Sequence, residues 1–484
     1  MSEKRGEINR GTVPVIGVKM DVKGKKIVII GAGKSGVSAA VLLRKTGAEP
    51  VIYDGSEKLD TAAVRAKIDE RLDDALKGSV NVIIGEPGEE ERKQAYALVL
   101  SPGVPVDTPF VDSYKAEGIP VWGEVELGYL FSKGRIIAIT GTNGKTTTTS
   151  LVGHIVKDWY KKENKKGSVY VAGNIGDPYT DIALETKEED TTVLEISSFQ
   201  LETTDVFHPE VSAILNITPD HLNRHHTMEN YAACKGRVAL RQDKNEWCVL
   251  NADDEYLPGM AEKMDCKKAF FSYTKEQDEG VYHKEGVIIA NFDGVKTEIL
   301  AVKDMKLLGA HNVENVMAAV AMCLKFGIPA ETIAASVKDF ESVEHRIEYT
   351  ATVRGVDYYN DSKGTNPDAA IKAVQAMVKP TVLIGGGYDK QNEYDEWIEC
   401  FGGKVKALIL LGQTADKIEA CARKHGFENI IRVESMEEAV EKASETAVAG
   451  DAVLLSPACA SWGMFKNFEE RGKIFKEAVR GLKG

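Results

Sequence analysis

The stretch ITGTNGKTTTT, residues 139–149, sets Gly141, Thr142, Asn143, Gly144, Lys145, Thr146 and Thr147 between an apolar run and a helix-period stretch. Residue types in that order suit phosphate chemistry. Glycines let backbone N–H groups approach an anion, a helix N-terminus adds positive field, and a lysine reaches the β/γ oxygens. A hydroxyl directly after the lysine suits Mg²⁺. The strict Walker pattern needs glycine where Ile139 stands, so the text of the motif fails while its physical arrangement survives. The bland alternative is a structural turn with an incidental lysine.

A second glycine turn lies upstream in KKIVIIGAGKSGVSAAVLL, residues 25–43, with Gly31, Gly33, Lys34, Ser35 and Gly36, and Asp54 closes the next apolar run. Alone this reads as a dinucleotide fingerprint, with the acid placed for a ribose hydroxyl. A nicotinamide or flavin oxidoreductase follows from these first residues, but that reading leaves the GKT loop without a use. A nucleotide switch would need a base-reading NKxD stretch, which the sequence lacks. Phosphoryl transfer also needs acids or imidazoles to hold metal. Glu195 ends the run TTVLEI, and Asp220 and His221 follow SAILNIT, positions where a parallel sheet presents ligands.

The elements that must position these residues alternate almost throughout, apolar runs with helix-period stretches, which argues α/β with mostly parallel sheets. Strands are expected at 26–30, 50–54 and 97–101 in a first block, and at 135–140, 191–196, 212–218 and 248–253 in a second. Residues from about 268 to 308 look like a small antiparallel insertion, followed by a helix in LGAHNVENVMAAVAMCLKFG. A third block runs from HRIEYTATVRGVDYYNDS through TVLIGGG, KVKALILLG and DAVLLSPA to a last helix. The expectation is three domains, 1–124, 125–342 and 343–484, each an α/β layer.

The 484 residues carry 61 Lys plus Arg against 74 Asp plus Glu, a formal charge of -13, which disfavours a nucleic-acid surface or an anionic membrane. No run approaches the ~18 apolar residues of a membrane span, and the first twenty residues lack the core of a signal peptide. Seven scattered cysteines form no CxxC pair and are expected as reduced thiols packed in cores, which together with the rest points to the cytoplasm.

Taken together, GTNGKTT, GNIG (173–176), EISSFQLE, NITPDHLNRH, YAACK (231–235), LGAHNVENV (308–316), HR (345–346), NDSKGTNPDA (360–369) and LLSPACASWGMFKNFEERG (454–472) resemble the Mur ligases of bacterial cell-wall precursor synthesis, in the family's order. The resemblance covers the chain after its first ~24 residues. Within the family, NDSKxTN and SPACAS…FKNFEERG look like the members that add D-glutamate to UDP-N-acetylmuramoyl-L-alanine at the expense of ATP. The DNPR sequence typical of the diamino-acid-adding members is absent. Folylpolyglutamate synthase shares the ATP loop and the amide chemistry, but residues 25–124 speak against it.

The resemblance implies an N-terminal Rossmann-like domain for the UDP end of the substrate, a central P-loop ATPase-type domain, and a C-terminal Rossmann-like domain for the amino acid. It assigns ATP to Gly141–Thr147, Asn315, Arg346 and Asp361, and the UDP substrate to Gly33, Lys34, Ser35, Gly36, Asp54, Ser101, Asn174 and Ser197. D-Glutamate falls to Lys363, Thr365, Lys390, Ser461 and Phe468. Lys145, Glu195, His221 and Lys235 become the catalytic set, with two Mg²⁺ ions on Thr146, Glu195, His221 and an N6-carboxylated Lys235. It also implies a monomer with no nucleic-acid partner and no membrane insertion. Three departures stand out. Gly364 replaces a usual alanine, GGGYDKQNEY around Lys390 is looser than the rest, and Gly-Ser follows Asp54 where a larger uridine contact would stand.

Overall fold

The computed structural model describes residues 20–341 and 343–482. Among them the strands form three sheets. The first has strands β1 (Lys26–Ile30), β2 (Glu49–Asp54), β3 (Asn81–Ile84), β4 (Ala97–Leu100) and β5 (Val121–Gly123), in the order β3-β2-β1-β4-β5. Its pairings are parallel, so near-continuous apolar runs such as KIVII are buried from both faces. The order reverses between β1 and β4, which opens a crevice at their carboxyl ends, where the glycine turn and Ser101 sit.

Strands β6 (Arg135–Thr140), β7 (Val169–Gly173), β8 (Thr191–Glu195), β9 (Val211–Ile214), β10 (Trp247–Asn251), β11 (Lys267–Ser272), β12 (Gly280–Lys284), β13 (Val287–Phe292) and β14 (Val295–Ala301) make a nine-stranded sheet, ordered β14-β13-β12-β11-β10-β9-β6-β8-β7. The segment expected as a small antiparallel insertion forms the far edge of this sheet. Its first strand, β11, pairs parallel to both β10 and β12, and the antiparallel turn comes at β12–β13. Strand β9 also stops at Ile214, four residues short of the expected end. Leu215 N–H still reaches the Thr140 carbonyl, but Ile217 and Thr218 turn their N–H groups to Asp254 and Thr142. Those residues leave the sheet to brace the phosphate loop.

The third sheet holds β15 (Glu348–Val353), β16 (Val356–Asn360), β17 (Thr381–Gly385), β18 (Val405–Leu410), β19 (Ile430–Arg432) and β20 (Ala452–Leu455), ordered β15-β16-β20-β17-β18-β19. It is parallel apart from the β15–β16 hairpin. By its internal packing the chain divides into two compact units. One runs to Leu300 and takes in Val316–Ser336; the other joins Ala301–Asn315 to the residues from Val337 onward. The division therefore falls inside the helix Ala310–Lys325.

Within the first unit, the helix Lys34–Lys45 is locked to the central region by a hydroxyl network in which Ser38 meets Thr180 at 2.6 Å and Asp181, while Arg71 also pairs with Asp181. Its start packs against the glycine turn so closely that a methyl on Gly36 would stand 1.9 Å from the Gly31 carbonyl oxygen. Gly36→Ala is expected to cost about 1–3 kcal/mol through overpacking, read as a lower urea midpoint for this unit. A methyl on Gly33 meets nothing within 4 Å, so Gly33→Ala should leave the stability read from that midpoint within ~0.5 kcal/mol of the parent.

Candidate active site

The phosphate loop grows out of β6, flanked in the sheet by β8 and β9, so the carboxyl ends of three adjacent strands converge there. Gly144, at φ +83°, turns the chain into the helix Lys145–Lys162 in the left-handed region that favours glycine. The loop is held from the β9 side by Asn216. Its carboxamide accepts from Asn143 N–H at 2.8 Å and donates to the Asn143 carbonyl at 3.2 Å, while its own carbonyl accepts from Thr142 N–H. Sequence reasoning misses Asn216, since an asparagine after a strand carries no spacing signal.

Two lysines meet on one backbone oxygen. Lys145 Nζ donates to the Gly141 carbonyl at 2.8 Å and to the Thr142 carbonyl at 2.8 Å, and Lys235 Nζ donates to the same Gly141 oxygen at 2.8 Å. Lys235 is 1 % exposed, on the helix Met228–Gly236, with its ammonium position 4.6 Å from the centre of the Tyr231 ring. Burial, and then the neighbouring Lys145, hold Lys235 well below the usual lysine range. A neutral amine is the form this pocket favours.

Glu195 ends β8, buried, with one carboxylate oxygen accepting from Asn174 Nδ2 at 2.7 Å. Its Oε2 is buried and has no hydrogen-bond partner among the described residues. Ser197 opens the next short helix with a reciprocal capping pair to Gln200, whose amide reaches the buried Glu124 at 3.2 Å. Burial raises Glu124, which also accepts from Thr180 N–H. His221 adopts a left-handed backbone at φ +53° and sets its ring 4.8 Å from Phe199. Behind it, Arg224 grips Glu202 through two nitrogens and donates to the Val104 carbonyl at 2.7 Å. His225, which no sequence signal marks, is buried against Ser198 Oγ at 3.0 Å, and burial lowers its pKa.

In the first sheet, Ser101 Oγ donates to the Gly31 carbonyl at 3.2 Å, and Asp54 accepts N–H bonds from Ala32 at 2.8 Å and Ser56 at 2.9 Å. Asp54 thus holds the turn as well as facing the crevice. Lys34 Nζ donates to the Gly176 carbonyl and pairs with Asp177, tying this turn to the GNIGD loop that carries Asn174. Ser101, Val104, Glu124, Phe199 and Gln200 line one cleft between these two regions. Gly33, Ser35 and Gly36 lie at the start of the same helix.

The second unit brings together another set. Loops from the carboxyl ends of β16, β17 and β20, neighbours in the sheet, carry Asp361, Lys363 and Thr365, then Lys390, then Ser461. They are stitched by Tyr388 N–H to the Ala460 carbonyl at 2.9 Å and by Gly386 N–H to the Pro457 carbonyl at 2.9 Å. Lys363 stands 5.7 Å from the Phe468 ring centre and Lys390 5.0 Å from that of Trp462. Arg471, 1 % exposed, reaches the Ser362 hydroxyl and carbonyl and the Cys459 carbonyl. Burial lowers even this guanidinium to about 10. The sequence does carry a signal for it, because Arg471, Phe475 and Val479 share one helical stripe and all three are buried.

Asp361 accepts from Ser456 Oγ at 2.7 Å and Ile347 N–H at 3.3 Å; burial pushes it up to about 7 against the pull of Arg346 and Arg471. Arg346 keeps a buried Nε without a hydrogen-bond partner among the described residues. Asn315 donates to Asn312 at 3.1 Å, and the neighbouring His311 is held down to about 4 by burial and by the charges of Arg346 and Lys372.

Family models match the chain in three stretches: a Mur ligase MurD-like N-terminal domain over residues 25–123, a Mur ligase middle domain over 139–323 and a Mur ligase glutamate ligase domain over 345–459. The chain belongs to the Mur ligase family. Among relatives of this Mur ligase, UDP-N-acetylmuramoylalanine--D-glutamate ligase of Lachnospira eligens is 54% identical over 464 residues, 96% of this chain and 100% of that protein. The protein of the same name from Clostridioides difficile is 46% identical over 467 residues, again 96% and 100%. Solved Mur ligases share the fold. UDP-N-acetylmuramate-alanine ligase of Thermotoga maritima gives a TM-score of 0.56 at 18% identity over 95% of this chain and 100% of that one. The MurF ligase of Thermotoga maritima, solved in complex with ADP, gives 0.56 at 17% identity over 96% and 97%.

The donor set of this Mur ligase fits a divalent cation. A buried carboxylate oxygen without a partner at Glu195, beside a loop whose first helical turn offers Thr146, is a hard-oxygen ligand awaiting a charge. In the second unit, Asp361 gives a pH test. The folded state keeps its proton up to about 7, whereas an unfolded aspartate releases it near ~4. Between those values the folded state holds more protons, so the contribution of Asp361 to stability falls as pH rises, by up to ~4 kcal/mol. Asp361→Asn should flatten that part of the urea-midpoint profile between pH ~4 and ~7 relative to the parent, and an unchanged slope would contradict the assignment.

Proposed function

We infer that the chain is an ATP-dependent ligase that joins D-glutamate to UDP-N-acetylmuramoyl-L-alanine in peptidoglycan precursor synthesis. The observation that carries this reading is end-to-end identity of 54% with a protein named for that reaction. The MurF ligase of Thermotoga maritima, a structural neighbour, was solved with ADP, in keeping with ATP as the nucleotide here. A carboxylate is a poor electrophile for amide formation, and the ligase overcomes this in two steps. A carboxylate oxygen of the substrate attacks the γ-phosphorus of ATP, the bond from that phosphorus to the β–γ bridging oxygen breaks, and ADP leaves behind an acyl phosphate. The amine of D-glutamate then attacks that carbonyl carbon, the C–O bond to phosphate breaks, and inorganic phosphate leaves as the amine proton is lost.

The assignment of residues is supported by the arrangement at the carboxyl ends of the strands. Lys145 turns from the Gly141 and Thr142 carbonyls to the β/γ-phosphates, with Gly141, Thr142, Asn143, Gly144 and Thr147 cradling the triphosphate. Asn315, Arg346 and Asp361 take the adenosine side. Gly33, Lys34, Ser35, Gly36, Asp54 and Ser101 receive the UDP end, and Asn174 and Ser197 the channel beyond it. Lys363, Thr365, Lys390, Ser461 and the Phe468 backbone receive D-glutamate, two cations for two carboxylates. Residues 1–124, 125–342 and 343–484 then act as substrate, ATP and amino-acid domains of a cytoplasmic monomer.

Thr146 and Glu195 would hold one Mg²⁺, and His221 and a carboxylated Lys235 a second. Bound Mg²⁺ neutralises charge on the transferring phosphoryl group. Lys235 Nζ, packed away from water, attacks the carbon of CO₂; the new N–C bond forms, one C=O pair moves to oxygen, and a proton leaves to solvent. The carbamate converts an amine side chain into an anionic oxygen ligand.

Phosphate release from ATP with UDP-N-acetylmuramoyl-L-alanine, measured in parallel with D-glutamate, L-glutamate, L-alanine and a diamino acid, is expected only with D-glutamate, one phosphate per amide. Release with another amine would overturn the substrate. Lys235→Ala should lose ~100-fold or more in rate, the scale of several kcal/mol of metal-held charge stabilisation. Labelled CO₂ should give a carbamate carbon signal in the parent protein that is missing from this variant.

A further inference from the structure

Five of the seven cysteines are buried in cores as expected, but Cys400 and Cys421 are only partly buried. Cys421 lies on the helix Ala415–Lys424, with His425 directly after its end. Four residues apart, these side chains stand on one face, one turn from each other. The neighbouring short helix Asp395–Glu399 repeats the arrangement with two carboxylates at the same spacing. The two helices pack together over Trp397, Ile398, Ile418 and Ala422, which fixes their facing sides.

The result is a compact donor cluster. A sulfur of Cys421, a ring nitrogen of His425 and a carboxylate oxygen of Asp395 all lie within 4.8 Å of one another. His425 Nε2 stands 2.8 Å from Asp395 Oδ1, and its Nδ1 3.6 Å from Glu399 Oε1, so the ring faces a carboxylate on each side. In a tetrahedral zinc site, with bonds of ~2.0–2.3 Å, ligand atoms stand roughly 3.3–3.8 Å apart. None of the four residues lies on the loops assigned to ATP or amino acid.

We propose that Asp395, Cys421 and His425 form a site for a borderline divalent transition metal, zinc by preference, which clips the two helices of the C-terminal region together, with Glu399 beside the other ring nitrogen of His425 as its outer partner. The thiol and imidazole set the selectivity: a magnesium ion prefers an octahedron of oxygens and gains little from sulfur. The competing arrangement is an ion-pair network in which Lys424 Nζ holds Asp395 Oδ1 at 2.7 Å. Lys424 is largely exposed, with a side chain 70% accessible, so it leaves for solvent at small cost when a dication arrives. Glu393, from the loop before the short helix, adds negative charge beside Cys421.

The test uses the full chain, in excess Mg²⁺ so that oxygen sites are occupied, titrated with Co²⁺ as a spectroscopic probe and with Zn²⁺ by calorimetry. One ion per chain with a thiolate-to-cobalt charge-transfer band is expected, the band disappearing in Cys421→Ser. Loss of an outer partner typically weakens a metal site by ~10–100-fold, so His425→Ala should weaken zinc binding at least as much. Lys424→Ala, which removes the competing ammonium, should bind at least as tightly as the parent. Melting without metal, followed by circular dichroism, checks that each variant folds. A Co²⁺ spectrum without the thiolate band, a band that survives Cys421→Ser, or no stoichiometric zinc at micromolar concentration would each overturn the proposal. Phosphate release with D-glutamate is read separately, so failure of the metal site leaves the ligase reading standing, and the reverse.

Discussion

One backbone oxygen, that of Gly141, receives two lysine nitrogens, and the glycine loop after β6 is arranged around that fact. Two ammonium groups at hydrogen-bond distance from one acceptor repel each other, and inside the fold water does little to screen them. The pocket resolves the conflict by burying Lys235 so far that its charge is disfavoured, while Lys145 keeps its position on the loop. An anion placed between them relieves the same conflict from the other side.

The second unit solves a different problem, which is to hold its strand-end loops in one place. Arg471 ties two of them, those after β16 and β20, with its guanidinium bonded to hydroxyl and carbonyl oxygens and not to a carboxylate. A planar fork with several donors suits that task where an ammonium would not. Lys363 and Lys390 stand over aromatic rings, an arrangement that helps to order a cation.

Much of this is legible in the sequence, and the limits have physical causes. Long apolar strands such as RIIAIT and TVLIG announce themselves, as do the turns with glycine, lysine and threonine. The strand β11 misleads because KKAFFS is a short apolar run flanked by polar turns, which marks a strand but leaves its direction open. The far end of SAILNIT reads as strand because propensity cannot see that Asn216 and Thr218 are needed by a loop more than seventy residues away. Glu195 can be placed at a strand end, but its unpartnered oxygen is a property of packing alone. The pairing of Cys421 with Asp395 lies equally out of reach, since only the third sheet brings those helices together.

The glycine turn at residues 31–36 separates two kinds of constraint within six residues. Gly31, at φ +100° and pressed against Ser101, and Gly36, pressed against the Gly31 carbonyl, are demanded by the protein's own backbone. Gly33 is not; it has ordinary backbone angles and open space where a side chain would point. No contact of the fold itself asks for a glycine there. In a lineage held only to this fold, position 33 would be free to drift first, while the glycines on either side of it in the turn stayed fixed. Three letters that look alike in the sequence thus carry unequal weight, and the outer two record the architecture.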